Sequence, residues 1–196
     1  PQRNGVAHAR LVHADDRASA RQMAERGLRL ARHWGDVLTT WRDDGELARF
    51  NAAAGGGWRP VSADLSTALD QMSFYWRVTG GAFDPAVGAT VRRLRSGAAP
   101  PAGPSPNLAS SLARRDGEAK LVAGVELDAG GIGKGLALDR MAAALRELGA
   151  SAALLDFGGS SQLAFGWFDG GAPLVIAAGL RPGVVHGAVP LDGLSL

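Results

Sequence analysis

Asp128-Ala129-Gly130-Gly131-Ile132-Gly133-Lys134-Gly135 is the stretch on which the fold turns. Upstream of it, Lys120 to Leu127 alternates apolar and polar residues, the pattern of a strand with one buried face. Downstream, Leu138, Met141, Ala142, Leu145 and Leu148 recur at helical spacing between Gly135 and Gly149, which predicts a helix with those five facing inward. A strand, a glycine-rich turn and a helix suit an anion, because glycines let it approach the backbone and the helix N-terminus offers free N–H groups. Neither common phosphate motif fits. A Walker A loop needs glycine where Asp128 stands and a hydroxyl where Gly135 stands, and the dinucleotide pattern fails because Gly131, Gly133 and Gly135 are evenly spaced by two. A bare strand-to-helix turn without any ligand is the other reading of these residues.

Working outward, Val6 to Ala14 is compatible with a strand, and Asp15 and Asp16 are N-cap residues for a helix over Arg17 to His33 that Gly35 should break. After the polar segment 41–46 comes a short helical turn from Leu47 to Asn51. Ser62 caps a helix whose apolar face is Leu65, Leu69, Met72 and Trp76, stopped at Thr79-Gly80-Gly81. Residues 96–106 are rich in Pro and Gly and form a loop, taken as a surface excursion within one domain spanning 1–196. Ala152 to Phe157, Leu163 to Phe165, Leu174 to Ala178 and part of Val184 to Leu196 complete the strands. Alternating strands and helices give an α/β (α+β) domain, a mixed or antiparallel sheet core with flanking helices.

Composition narrows the function classes. The chain has 196 residues, 46% of them apolar, a formal net charge of +2 and no cysteine, so disulfides and thiolate metal sites are excluded. Basic residues are scattered, with Arg92, Arg93 and Arg95 as their nearest approach to a cluster, which argues against a nucleic-acid partner. Lysine is scarce, which draws attention to Lys134 inside the glycine-rich segment. No apolar run reaches the length of a membrane span, and the first residues lack the pattern of a signal peptide.

Four ordered motifs together resemble the FAD:protein FMN transferase (ApbE-like) family. The segment Asp128 to Gly135, continued by Leu136-Ala137-Leu138-Asp139, is similar to its D-[LAF]-G-[GA]-[IV]-[AG]-K-G signature. Leu38 to Asn51, Thr79 to Gly88 and Asp156 to Gly159 with Gly166 match three further stretches. The resemblance implies a flavin transferase-like fold and a Mg2+-dependent transfer of the FMN half of FAD to a threonine of an acceptor flavoprotein, with release of AMP. It implies that Trp41 contacts the flavin, that Ala82, Phe83 and Asp84 line the FAD pocket, and that Asp128 and Lys134 face the ligand. Gly131 takes the position whose carbonyl ligates magnesium. A periplasmic or membrane-anchored location outside the cytoplasm is implied with them.

Departures accompany the match. Asn4-Gly5-Val6 stands where the family has M-G-T, and Gly45 stands where serine is common. The family continues beyond the position of Leu196 with ligand-touching loops and an aspartate–threonine metal site, so the chain is expected to lack that C-terminal part, to bind FAD weakly by itself and to transfer FMN poorly. The alternative expectation is a truncated, non-catalytic FAD- or nucleotide-binding domain, or one acting through protein contacts.

Overall fold

The computed structural model describes residues 7–13, 16–100, 103, 105–166, 174–178 and 187–191, with side chains described for 16–100, 103 and 105–166. The chain divides into two compact units, Pro1–His33 with Lys134–Leu196, and Trp34–Gly133. Both borders fall inside helices rather than linkers, so composition gives no sign of them.

In the first unit, β1 (Ala7–His13), β5 (Ala152–Phe157) and β6 (Ser161–Phe165) form an antiparallel sheet in the order β1-β5-β6. Its core gathers Met23 and Ala31 from α1 (Arg17–Leu38), Leu138, Met141, Ala142 and Leu145 from α6 (Gly133–Glu147), and Ala153, Leu155, Leu163 and Phe165 from the sheet. Each large side chain buried there stabilises the unit by about 2 kcal/mol. Leu148, expected to face inward, lies past the end of α6 and is half exposed. Asp16 caps α1: its carboxylate accepts from the N–H groups of Ser19 and Ala18 and from the Ser19 hydroxyl, and these bonds hold its pKa below the usual carboxylate value. A separate antiparallel pair, β7 (Leu174–Ala178) with β8 (Gly187–Leu191), completes the described strands of this unit.

Gly35 does not end α1, which runs on to Leu38. Trp34, Val37 and Leu38 are all buried, and burying them outweighs the cost of about 1 kcal/mol for one glycine in a helix.

In the second unit, α2 (Glu46–Ala52) and α3 (Ala63–Val78) pack beside the antiparallel sheet β2-β4-β3, built from Arg59–Pro60, Glu118–Leu121 and Leu112–Arg115. Leu65, Ala68, Leu69 and Met72 are fully buried along α3. Ser62 caps it as expected: its hydroxyl accepts from Leu65 N and donates to Glu46, whose other carboxylate oxygen accepts from Ser62 N. Replacing Ser62 with alanine should cost about 1 kcal/mol, read as a lower urea midpoint, while Ser62→Asp should retain most of the cap. Helix α3 stops where Gly80 N and Gly81 N bond back to Arg77 O and Trp76 O.

The strand expected over Lys120 to Leu127 is shorter, ending at Leu121. Beyond it the backbone finds partners that are not a neighbouring strand. Asn51 receives Leu127 N on its side-chain oxygen and donates its amide to Leu127 O, Glu126 O accepts from Gly88 N, and Asp128 N donates to Pro85 O. Periodicity cannot distinguish this arrangement from a ladder, since Val125 and Leu127 are buried either way. A 3-10 turn, Pro85–Val87, and α4 (Gly88–Arg95) lie between the glycine stop and the loop, and α5 (Leu108–Ser111) follows it. The described residues of 96–106 contain no helix or strand.

Candidate functional site

The turn after α1 places Thr40 and Trp41. Trp41 N donates to Thr39 Oγ1, and the indole is 63% exposed, the largest fraction among the exposed large apolar side chains described. One of its faces is covered: the Arg95 guanidinium carbon lies 3.8 Å from the ring centroid. Arg95 Nη2 is also 3.5 Å from Asp128 Oδ2, which accepts from Thr40 Oγ1 at 3.4 Å, and Asp128 Oδ1 accepts from Gly130 N at 2.8 Å. The Asp128 side chain is only 12% exposed, so these partners satisfy a carboxylate largely withdrawn from water.

Beside this cluster is a cavity of about 370 Å³, lined by Thr40, Trp41, Asn51, Arg92, Arg95 and Glu126 among others. Arg92 and Glu126 form a two-pronged pair at 2.9 and 2.5 Å, and hydrogen bonding to Glu126, reinforced by its charge, raises the pKa of the guanidinium. That pair is self-neutralising and marks the α4 wall of the cavity. The cavity falls in the size range of small-molecule sites, with one aromatic face and convergent polar groups.

The turn after α3 brings Ala82, Phe83 and Asp84 together. Phe83 N donates to Thr79 Oγ1, and its ring meets Tyr75 edge-on at 6.3 Å between centroids. Phe83 also abuts Gly131, where an added Cβ would lie 2.8 Å from Phe83 Cε2, so a side chain at 131 would require the Phe83 ring to shift. Asp84 is engaged by the chain itself: it accepts from Trp76 Nε1 at 3.0 Å, Ala86 N at 2.9 Å and Leu108 N at 3.2 Å. Within the first unit, Lys134 stands in the first turn of α6 and donates to Ser160 Oγ in the turn after β5. Asp156, buried at the end of β5, holds that turn by accepting from Gly159 N and Gln162 Nε2.

A profile described as the ApbE family matches residues 7–188. The chain belongs to the ApbE family. It is 35% identical over 141 residues to the FAD:protein FMN transferase of Treponema pallidum (strain Nichols), a match covering 63% of this chain and 39% of that protein. In fold it is similar to the flavinyl transferase ApbE of Pseudomonas stutzeri in its apo form, with a TM-score of 0.76, 20% identity and coverage of 94% of this chain and 60% of that one. It is likewise similar to the ApbE protein of Thermotoga maritima, with a TM-score of 0.80, 21% identity and coverage of 94% and 63%. The chain therefore spans less than two thirds of the length of these relatives, and the two structural likenesses bear on fold alone. Helices with antiparallel sheets are what the ApbE fold predicts, and the described strands pair in that way.

Among the ApbE positions singled out by motif, Trp41 and Asp128 share one cluster, Phe83 and Gly131 touch, and Asp84 anchors its own turn. Thr40 and Asn51 lie inside the Leu38 to Asn51 motif, which gave them no role, and Arg95 lies outside every motif. A signal for Arg95 exists: Asp84-Pro85 is an N-cap with proline after it, and in the helix that follows Arg92 and Arg95 are three apart and so share a face. For magnesium the described residues offer no all-protein cage, which this ion does not need where water and phosphate oxygens complete its shell. Gly131 offers one carbonyl, no group of three or more His, Asp or Glu among the described residues could hold a metal, and this ion wants near-octahedral oxygen coordination.

Proposed function

We propose that the chain is the flavin-handling part of an enzyme that moves the FMN half of FAD onto a threonine hydroxyl of an acceptor flavoprotein. The observation that carries this is the exposed Trp41 indole lining a cavity of mixed polarity, in one cluster with the largely buried Asp128. The name of the Treponema pallidum relative, FAD:protein FMN transferase, supports the coarser part of this reading, transfer of FMN from FAD to a protein. In the transfer the threonine oxygen bonds to the FMN phosphorus, the pyrophosphate P–O bond breaks, AMP leaves and the hydroxyl proton is lost. Trp41 stacks on the isoalloxazine, Phe83 and the backbone of Ala82 border it, and Asp84 fixes their turn. Asp128 accepts from a ligand hydroxyl or amine, and the Lys134 ammonium meets the diphosphate. Magnesium dependence belongs to this reading by family resemblance, with the Gly131 carbonyl as this chain's candidate ligand. So does a site of action in the periplasm or at a membrane face outside the cytoplasm; no described helix is long and apolar enough to cross a membrane.

The test is FAD titration followed by tryptophan fluorescence, then AMP release with magnesium and a threonine-bearing acceptor. Saturable quenching and acceptor-dependent AMP are expected; no quenching at high micromolar FAD would remove the flavin reading. Trp41→Ala should weaken FAD binding about tenfold, with ADP binding unchanged, because stacking acts only on the flavin ring. Lys134→Ala should do the reverse, weakening FAD and ADP about equally and sparing riboflavin. A second reading, a flavin binder that does no chemistry, rests on the described residues holding no group of three or more His, Asp or Glu that could bind a metal. Saturable FAD binding without AMP release, magnesium present, would select it.

A further inference from the structure

The Trp41 indole is mostly exposed, and an indole without packing rotates freely about its two side-chain torsions. Here it is pinned from one side. Arg95, the last residue of α4, stacks its guanidinium at 3.8 Å on one face of the ring. The arginine is itself fixed twice. The C-terminal carbonyls of α4 favour a cation at that position, and Asp128 Oδ2 lies 3.5 Å from Nη2 with the arginine side chain 32% exposed. Arg92, three residues earlier on the same helix, is committed to Glu126 and does not compete for the ring.

We propose that Arg95 is a positioning residue for flavin binding, holding the Trp41 ring in plane so that its opposite face receives the isoalloxazine. This rests on the flavin reading above and adds to it the element that orients the stacking surface. Arginine suits the task because its planar fork can stack and pair at once; a lysine ammonium at the same place keeps the charge and loses the flat contact. The cation beneath the ring also costs a flavin nothing in space, since the two occupy opposite faces.

The experiment measures dissociation constants of FAD, FMN and ADP for the whole chain and for Arg95→Ala, Arg95→Gln and Arg95→Lys, with thermal melting as a check on folding. Removing the guanidinium should raise the constants for FAD and FMN about tenfold and leave ADP unchanged, with Arg95→Lys in between. A purely structural role would weaken all three ligands in parallel, and that pattern would overturn the proposal. So would unchanged FAD binding in Arg95→Ala and Arg95→Gln, or tighter binding, which would mean that the guanidinium occupies the place of the flavin. A wild-type chain that binds neither FAD nor FMN removes the flavin reading and this inference with it. Binding by the wild type with indifference to Arg95 removes the inference alone.

Discussion

Gly88→Ala is expected to destabilise the second unit by about 3 kcal/mol and to abolish the cavity beside Trp41. Gly88 has ordinary helical backbone angles, so its glycine is required by space and not by conformation. An added Cβ would lie 2.5 Å from Glu126 O, 2.7 Å from Glu126 C and 2.9 Å from Glu126 Cβ. Two of those atoms are backbone and cannot turn aside. The Gly88 N–H also donates to that oxygen at 2.9 Å, so admitting a methyl group means lifting the start of α4 off residue 126 and losing the bond. With α4 displaced, the Arg92–Glu126 pair and the reach of Arg95 to Trp41 and Asp128 go with it. A urea titration reads the stability loss, and fluorescence titration with FAD reads the site. Gly35→Ala is the control of opposite sign: it lies inside α1 with nothing within 4 Å of the added Cβ, so it should stabilise by up to about 1 kcal/mol. A Gly88→Ala chain within about 0.5 kcal/mol of wild type would mean that α4 is not seated on this segment.

The contrast between these glycines shows what the sequence could and could not reveal. Strongly periodic segments were legible: α3 with its Ser62 cap, α6, and β5 at Ala152–Phe157 all lie where spacing places them. Gly35 was misleading because helix propensity is a small term, overruled by the burial of Trp34, Val37 and Leu38. The strand over 120–127 was misread for another reason. An extended apolar segment was visible, but its partners are the Asn51 amide and the turn at Pro85–Gly88, which alternation does not encode. Motif resemblance located Trp41 and Asp128 without saying that they meet. What joins them is Arg95, a residue that no motif marks, supplied by a helix whose short length hides its period.

Asp84 is where motif and geometry pull apart most, and its substitution has the second large expected effect. The motif assigns it to the FAD pocket. Its carboxylate is already the acceptor for Trp76 Nε1, Ala86 N and Leu108 N, and Ala86 and Leu108 are buried. Asp84→Ala leaves three donors without that acceptor at the junction of α3, the 3-10 turn and α5, and is expected to cost about 3 kcal/mol or more. Asp84→Asn keeps one acceptor oxygen but turns an amide N–H₂ toward the remaining donors, so it should lose a smaller part of that stability. The informative measurement is FAD affinity of Asp84→Asn at a temperature where the chain is still folded. If the carboxylate serves the turn, affinity stays within about threefold of wild type while the melting temperature falls. If it grips the flavin or its ribityl chain, affinity drops tenfold or more out of proportion to stability, as expected when a direct charged hydrogen bond to ligand is lost. The number of the chain's own donors already pointing at this carboxylate favours the first outcome. It makes Asp84 the residue that holds the turn carrying Phe83.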